Sequence, residues 1–577
     1  EIRSNKKKVV NQEEGNQMVY THKSPALLII GIVMLAWGWL NQSGTADGLQ
    51  AWLHPGAYKE QKQAVEKHQA AEKAAVDKAA AEGKPAPEAK AMKPGKFDGV
   101  KQEQANFSYL FGGLFTAVGL LILAFRPKEG HLDYYMSIFP GMAFILSIAF
   151  VVRWGFDPMF GNWGKAAEPT LGWNFAKMLN LNYVVLGIVI GMVVVNVFRI
   201  PGWAANGVRT ARFFLKTGVV LLGTLYSAAE LAQLGMLSVV MIGVFVLGSV
   251  WLVLLAGPRI NASNSMTGVL SAGVGVCGVS AAVAASPVVN AKAVDIAFTL
   301  GTILLWGVLC MFIFPTIGHL LEMRPVQFGA WAGTGILNSA QVAGAALAFD
   351  PHGIQTLKVA EIFNITRVLF LPIIVVWLAA WYVKREAGAQ KVDLGKVLIA
   401  KFPVFVLGFI GLFILSSMGL FAPAGHYQGK YFSSEQIKED KLLKEKEVAA
   451  LQAVLPKTTN PEENKALQDL IANKKLTSRD QDHVLKGVAK AAKDDKALKD
   501  AIGAASKAAW HDSKIIRAYR DWIAWLFAFG LTGLGMQITV ASIKQAGGKP
   551  LIIGSVVGLI KAIGSLIVVL LFVREFV

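Results

Sequence analysis

The run Gly268-Val-Leu-Ser271-Ala-Gly273-Val-Gly275-Val-Cys277-Gly278-Val-Ser280-Ala-Ala-Val-Ala-Ala-Ser286-Pro287-Val-Val-Asn290 decides the fold. It is apolar enough to enter a membrane, yet glycines crowd its middle and a proline stands near its end, which an ordinary helix interior avoids. That composition points to a helix interrupted in mid-membrane, where freed N–H and C=O groups and helix termini can hold an ion. A second run, Gly329-Ala-Trp-Ala-Gly333-Thr334-Gly335-Ile-Leu337-Asn338-Ser339-Ala-Gln341-Val-Ala-Gly344, sets Thr334, Asn338, Ser339 and Gln341 in an otherwise apolar stretch. Polar groups in such a place face the interior of a helix bundle. Small residues packing helices together would explain either run alone; the two together favour a binding site.

The rest of the chain agrees. Of 577 residues 54% are hydrophobic and 17% charged, with a mean hydropathy of +0.46, which excludes an ordinary soluble enzyme and a disordered or collagen-like chain. Windows of about 17–25 apolar residues give thirteen expected spans: 25–41, 107–125, 132–152, 181–198, 213–228, 237–256, 264–289, 293–314, 328–349, 362–382, 402–421, 522–540 and 551–573. The net charge of +18 is read as topology and not as a nucleic-acid surface, because basic residues collect on cytoplasmic loops. Lys6, Lys7, Lys8 and Lys23 place the N-terminus inside. Counting spans from there puts Arg126/Lys128, Arg199/Arg209/Arg212, Lys384/Arg385/Lys391/Lys396 and Lys544/Lys549 on the same side and the C-terminus outside. The expected setting is a bacterial inner membrane, with the lipid bilayer as the first partner.

This fold class, an all-α polytopic membrane protein, divides into a basic cytoplasmic tail (1–24), an uncleaved anchor (25–41), a helical extracytoplasmic insert (42–106), a transport domain (107–421), a second insert (422–520) and two closing helices (521–577). No small-x-small cleavage site follows Leu40, which favours the anchor over a signal peptide. In the first insert, Lys and Glu alternate at helical spacing over 58–82 before Gly83 and Pro85, a solvated helix. In the second, Ser433 with Gln436, Asn460–Pro461 with Glu463, and Ser478 with Gln481 are capping patterns. They predict three or four amphipathic helices, among them 442–455 and 483–492. Gly218, Gly223 and Gly235 recur as Gly530, Gly535 and Gly547 at one offset of 312 residues, with the two copies running in opposite directions by the span count. That is an inverted repeat, the architecture of alternating access.

Ionisable residues in apolar stretches sharpen the site, since each is costly in hydrocarbon unless paired or facing water. Lys292 and Asp295, three apart, are expected to pair on one helix face; Glu361 and Arg367 open the tenth span; Lys561 lies in the last. Cys277 and Cys310 are the two cysteines, both in apolar stretches, so neither a disulfide framework nor a metal site is expected. With no nucleophile elbow, phosphate loop or metal-ligand pair, enzymatic chemistry is not expected.

At Cys277-Gly278…Ser286-Pro287-Val288-Val289-Asn290, Phe314-Pro315, Gly333…Ala340-Gln341-Val342, Arg367-Val368 and Gly533-Leu-Gly535-Met…Lys544-Gln-Ala-Gly547-Gly-Lys549-Pro550, the chain resembles the YeiH-type family of sulfate exporters. The resemblance covers 133–421 and 522–573. It implies a fold similar to the sodium/proton-antiporter and bile-acid-transporter superfamily, with crossed interrupted helices at the substrate site. This chain has Ser286 and Asn290 where that family has Glu and Lys, Leu337-Asn338 where it has His-Glu, and Asn364 where it has Lys. The absent groups are natural proton carriers, so coupling to sodium or protons would fall to Asp295 or Glu361.

The expected function is therefore secondary transport of a small anion, such as a sulfur oxyanion, with no cofactor beyond a coupling ion. The anion would be held by the Cys277, Gly278 and Ser280 backbone, Asn338, Ser339, Gln341 and Arg367. A membrane scaffold or receptor acting through its inserts is the alternative, and helical inserts also suit contacts within a homo-oligomer.

Overall fold

A computed structural model describes residues 25–81, 95–125, 131–179, 181–351, 353–386, 403–423, 426, 429–458, 460–491 and 495–573. The basic tail 1–24, the loop residues Arg126, Lys128, Lys391 and Lys396, and the stop at Gly83 and Pro85 lie outside the described residues. The chain divides into two units, one of Glu1–Leu215, Gly243–Lys401 and Leu526–Glu575, the other of Lys216–Ile242, Phe402–Trp525 and Phe576–Val577.

The first unit opens with α1 (Ala26–Gln42), which turns by 87° into the short α2 (Asp47–Leu53). The solvated α3 (Pro55–Ala81) follows close to its expected bounds. Helix α4 (Lys96–Phe125) begins about three turns before the expected apolar span at Phe107, so the first insert runs into that span without a joint. Helices α1 and α4 pack backbone to backbone: a Cβ on Gly112 would lie 2.9 Å from the carbonyl oxygen of Gly31, which only glycine permits. Next, α5 (His131–Val151) passes through a π-helical turn at Val152–Phe156 into α6 (Asp157–Leu171). Helix α7 (Tyr183–Val193) is capped by Asn182, whose Oδ1 accepts from the N–H groups of Val184 and Val185 while its Nδ2 donates to Ala348 O at 3.0 Å.

After α8 (Ala211–Leu222) and α9 (Ala228–Arg259), the two glycine-rich runs form helix pairs. The first is α10 (Asn264–Gly275) with α11 (Val279–Ala285); α12 (Ala293–Leu320) separates it from α13 (Pro325–Gly335) with α14 (Ser339–Phe349). Here the resemblance is corrected. Two helices interrupted but continuing in one direction would leave their far ends roughly 30 Å apart at 1.5 Å per residue. Instead Phe328, near the start of α13, stacks on Phe349, the last residue of α14, with ring centroids 4.0 Å apart. In the same way a Cβ on Gly268, early in α10, would lie 2.8 Å from Val289 beyond α11. Both runs are hairpins, each folding back at its break. Neither run is one helix continuing in a single direction.

Helices α15 (Gln355–Leu369), α16 (Leu371–Val383), α17 (Val404–Ser417), α22 (Lys514–Gly535) and α23 (Gly548–Phe572) complete the apolar set, with the second insert between α17 and α22. Among the described residues six helices are long and apolar enough to cross a membrane, or seven if α1 with α2 counts as one span. The protein is a largely helical, polytopic membrane protein. Of the glycines in the 312-residue offset, Gly223 packs against the Phe409 backbone and Gly535 against that of Ile188, whereas Gly235 meets nothing within 4 Å.

In the second unit the insert folds around its own core. Helices α18 (Glu445–Val454), α19 (Pro461–Asn473), α20 (Arg479–Ala491) and α21 (Lys496–Ala509) bury Leu451, Leu467, Leu470, Leu485, Leu498 and Ile502 together. Asn460 and Ser478 cap as expected, their side chains accepting from Glu462 N and Gln481 N. Ser433 does not: it follows strand β1 (Lys430–Phe432), which pairs antiparallel with β2 (Trp510–Asp512) and closes the insert at its stem. Below the stem, Gly429 N–H donates to His426 Nδ1, so the ring proton sits on Nε2 and points at Ser416 Oγ 3.0 Å away; Ser416 in turn donates to Thr224 O.

Candidate functional site

The two hairpins touch at their tips. Ser339 N–H donates to Cys277 O at 3.4 Å, one tip to the other. Gly278 makes the approach possible: its φ of +82° is open to glycine, and a Cβ there would stand 2.9 Å from Asn338 Cα. Asn338 is extended and caps α14, its Oδ1 accepting from Ala340 N at 3.4 Å. Leu337 at the second tip joins Val253, Leu270, Val274, Ile553 and Val557 in one buried cluster, which holds the tips to α9, α10 and α23.

Each tip is met by a buried cation. Lys561, on α23, donates to Val274 O at 3.0 Å and Gly275 O at 3.1 Å, the last carbonyls of α10. Arg367, on α15, donates through Nη1 to Ile336 O at 2.5 Å, just beyond α13, and through Nη2 to Ser339 Oγ at 3.2 Å and Asn364 Oδ1 at 3.0 Å. Both positions are favourable, because a helix's C-terminal carbonyls carry partial negative charge and would otherwise lack donors. Asn364 joins Arg367 to Glu361, donating to Glu361 Oε2 at 3.0 Å, so acid, amide and guanidinium form a chain along one face of α15.

Two side chains here retain unused hydrogen-bonding atoms. Arg367 Nε is buried with no partner, and both amide atoms of the fully buried Gln341 lack one. Gln341 lies against Gly307 of α12, where any side chain would collide with it.

The fold brings Cys277, Gly278, Asn338, Ser339 and Arg367 together, with Glu361 and Lys561 adjoining. Gln341 shares α14 but faces α12. Ser280 is exposed on α11, as is Val283, and is not part of the buried cluster. Lys292 and Asp295 do not pair: Lys292 precedes the first turn of α12 in an extended conformation, and Asp295 accepts instead from Ser265 Oγ at 2.6 Å and Ser263 Oγ at 3.3 Å. Lys358, fully buried one turn before Glu361, was not singled out from the sequence, although its spacing of three along α15 was the available signal. No group of three or more His, Cys, Asp or Glu residues that could hold a metal ion occurs among the described residues.

Long apolar helices, two hairpins joined at their tips and a buried charged cluster beside them define a polytopic membrane protein with a polar site inside its helices. It belongs to the family described as Conserved hypothetical protein 698, whose model matches residues 140–438. A UPF0324 membrane protein of Nitratidesulfovibrio vulgaris (strain Hildenborough) is 35% identical over 455 residues, 78% of this chain and 98% of that protein. A second from the same organism is 36% identical over 315 residues, 53% of this chain and 84% of that protein. A UPF0324 membrane protein of Streptococcus agalactiae is 28% identical over 236 residues, 41% of this chain and 69% of that protein. No solved structure matches.

Proposed function

We propose that the chain is a secondary transporter of a small anion, bound where the two hairpin tips meet. The observation that carries this reading is the imbalance of buried charge. Arg367 and Lys561 are fully buried at the two tips, and Glu361 is the one fully buried carboxylate among the described residues of the first unit. Buried charge is costly without a counter-charge, and Arg367 Nε still has a hydrogen to donate. Cys277 and Asn338 supply polar backbone at the same place, and Glu361 is the group to which a coupling sodium ion or proton would be assigned. The YeiH-type resemblance makes a sulfur oxyanion the first candidate.

Two hairpins, one on either side of α12, are what an inverted repeat would need to provide alternating access. Each returns the chain to the side it entered, so neither reverses its direction. The two omissions cancel after the second hairpin, and the basic loops 384–396 and 544–549 keep the cytoplasmic side first assigned to them. A bacterial inner membrane with the second insert outside fits this reading.

The test is thermal stabilisation of the purified protein by sulfate, sulfite, thiosulfate, bicarbonate and short carboxylates, with and without sodium. A ligand that binds only the folded state stabilises it by RT ln(1 + [L]/Kd), about 2.7 kcal/mol at 100-fold excess over Kd. One anion should give a saturable rise; a flat response across the panel would remove the anion reading.

The insert offers a second check. Its helices close on their own core at the β1–β2 stem, where Ser433 N–H donates to Ala509 O at 3.0 Å. Excision of 433–509 with a short turn in its place should leave the anion response intact. Loss of that response in a folded, monodisperse protein would favour the scaffold or receptor reading.

A further inference from the structure

Outside the anion site, a cavity of about 510 Å³ opens between α1 with α2 on one side and α5 with its π turn on the other. Its size falls within the usual range for small-molecule sites, about 300–1,000 Å³. The walls are apolar, formed by Ile30, Met34, Trp37, Phe150 and Trp154 among others, and its rim residues Ile29, Val33 and Val151 are exposed. In a membrane protein such a rim on spanning helices meets hydrocarbon, and an apolar cavity of this size does not hold water.

The few polar groups are gathered at one end. Gln104 lies beside the α1–α2 bend, accepting from Gln50 Nε2 at 2.7 Å and Trp37 Nε1 at 3.4 Å. One turn deeper, Ser108 Oγ is fully buried on the cavity wall with no partner. At the same end, Leu49, Trp52 and the nearby Trp39 are exposed, as anchoring residues are at a membrane–water interface. From Ile29 to the end of α1 at Gln42 the helix rises about 20 Å, somewhat more than half of a hydrocarbon core of about 30 Å. The cavity is thus polar near the interface, apolar below it, and about one leaflet deep.

We propose that this cavity is a site for one phospholipid, with an acyl chain along α1 and an ester carbonyl that accepts from Ser108 Oγ once that side chain turns into the cavity. A bare alkane would leave that hydroxyl unsatisfied; an ester placed at the polar end satisfies it.

Gly155 provides the test, because it lines the cavity and a Cβ there would have Val151 Cγ1 as its nearest neighbour, at 3.9 Å. Gly161, on α6, has nothing within 4 Å and does not line the cavity. The full chain would be delipidated in detergent, titrated with palmitoyl-oleoyl-phosphatidylglycerol and followed by native mass spectrometry. Wild type and Gly161→Leu should retain one lipid at the lowest ratios. Gly155→Leu should weaken that first binding by about tenfold or more, and Ser108→Ala by about two- to tenfold. If Gly155→Leu does not fold, Ser147→Leu fills the same cavity from α5. Equal first-lipid binding in wild type and a folded filling variant would overturn the proposal. So would a wild-type dimer that Gly155→Leu converts to monomer, which would assign the cavity to a second copy of the chain.

Discussion

Arg367→Ala should abolish the anion-dependent rise in melting temperature and lower the stability of the ligand-free protein as well. The guanidinium donates to Ile336 O, Ser339 Oγ and Asn364 Oδ1, and breaking such a buried charged network costs about 3–5 kcal/mol. Separately, a hydrogen bond from a charged donor to a bound anion contributes about 1.5–3 kcal/mol, so affinity should fall roughly 10- to 100-fold. Arg367→Lys separates the two effects. It keeps the charge, and so part of the affinity, but its single ammonium cannot reproduce a planar fork that reaches three acceptors. Unchanged anion stabilisation in folded Arg367→Ala would mean that the guanidinium serves the hairpin tip alone, and the electrostatic part of the transport proposal would fall.

The second large effect is expected at Gly278. Gly278→Ala introduces strain at a positive φ, about 1–3 kcal/mol, and sets a methyl group 2.9 Å from Asn338 Cα and 3.1 Å from Ile303 Cγ2. Backbone cannot yield as a flexible side chain can, so the tips must separate and the Ser339–Cys277 hydrogen bond should lengthen or break. The expected outcome is a lower melting temperature together with loss of anion response. Gly248→Ala on α9 is the control: nothing lies within 4 Å of its Cβ direction, and alanine in a helix interior is favoured over glycine by about 1 kcal/mol. A Gly278→Ala protein as stable and as responsive as Gly248→Ala would show that the tips need not touch for binding.

Much of this arrangement is legible in the sequence, because interrupted helices in lipid need unusual residues. Glycines near Cys277 and polar residues near Asn338 marked both breaks, and Arg367 and Lys561 stood out as charges among apolar neighbours. The direction of the chain after each break could not be read. Whether it continues or folds back is decided by contacts such as Phe328 with Phe349, which composition does not encode.

The same limit explains the misplaced residues. Ser280 follows a glycine whose backbone resets the helical phase, so its side chain turns outward although Cys277 three positions earlier is buried. Lys292 was assigned to a helix face, but the helix starts only after it, and the i,i+3 rule holds only within a helix. The partners of Lys561 are nearly 290 residues away in the chain, beyond any local pattern. Asn364, where the resembling family has lysine, gains a reason: an amide can accept from Arg367 while donating to Glu361, and a lysine could only donate.

The hydrogen bond from Ser339 to Cys277 has a mechanical meaning. It ties one tip to the other, while Lys561 and Arg367 clamp the first leg of each hairpin to α23 and α15. Four pieces of chain far apart in sequence are therefore joined at this point. If the transport proposal holds, the two joined tips would move as one part, and the hinges would lie outside them.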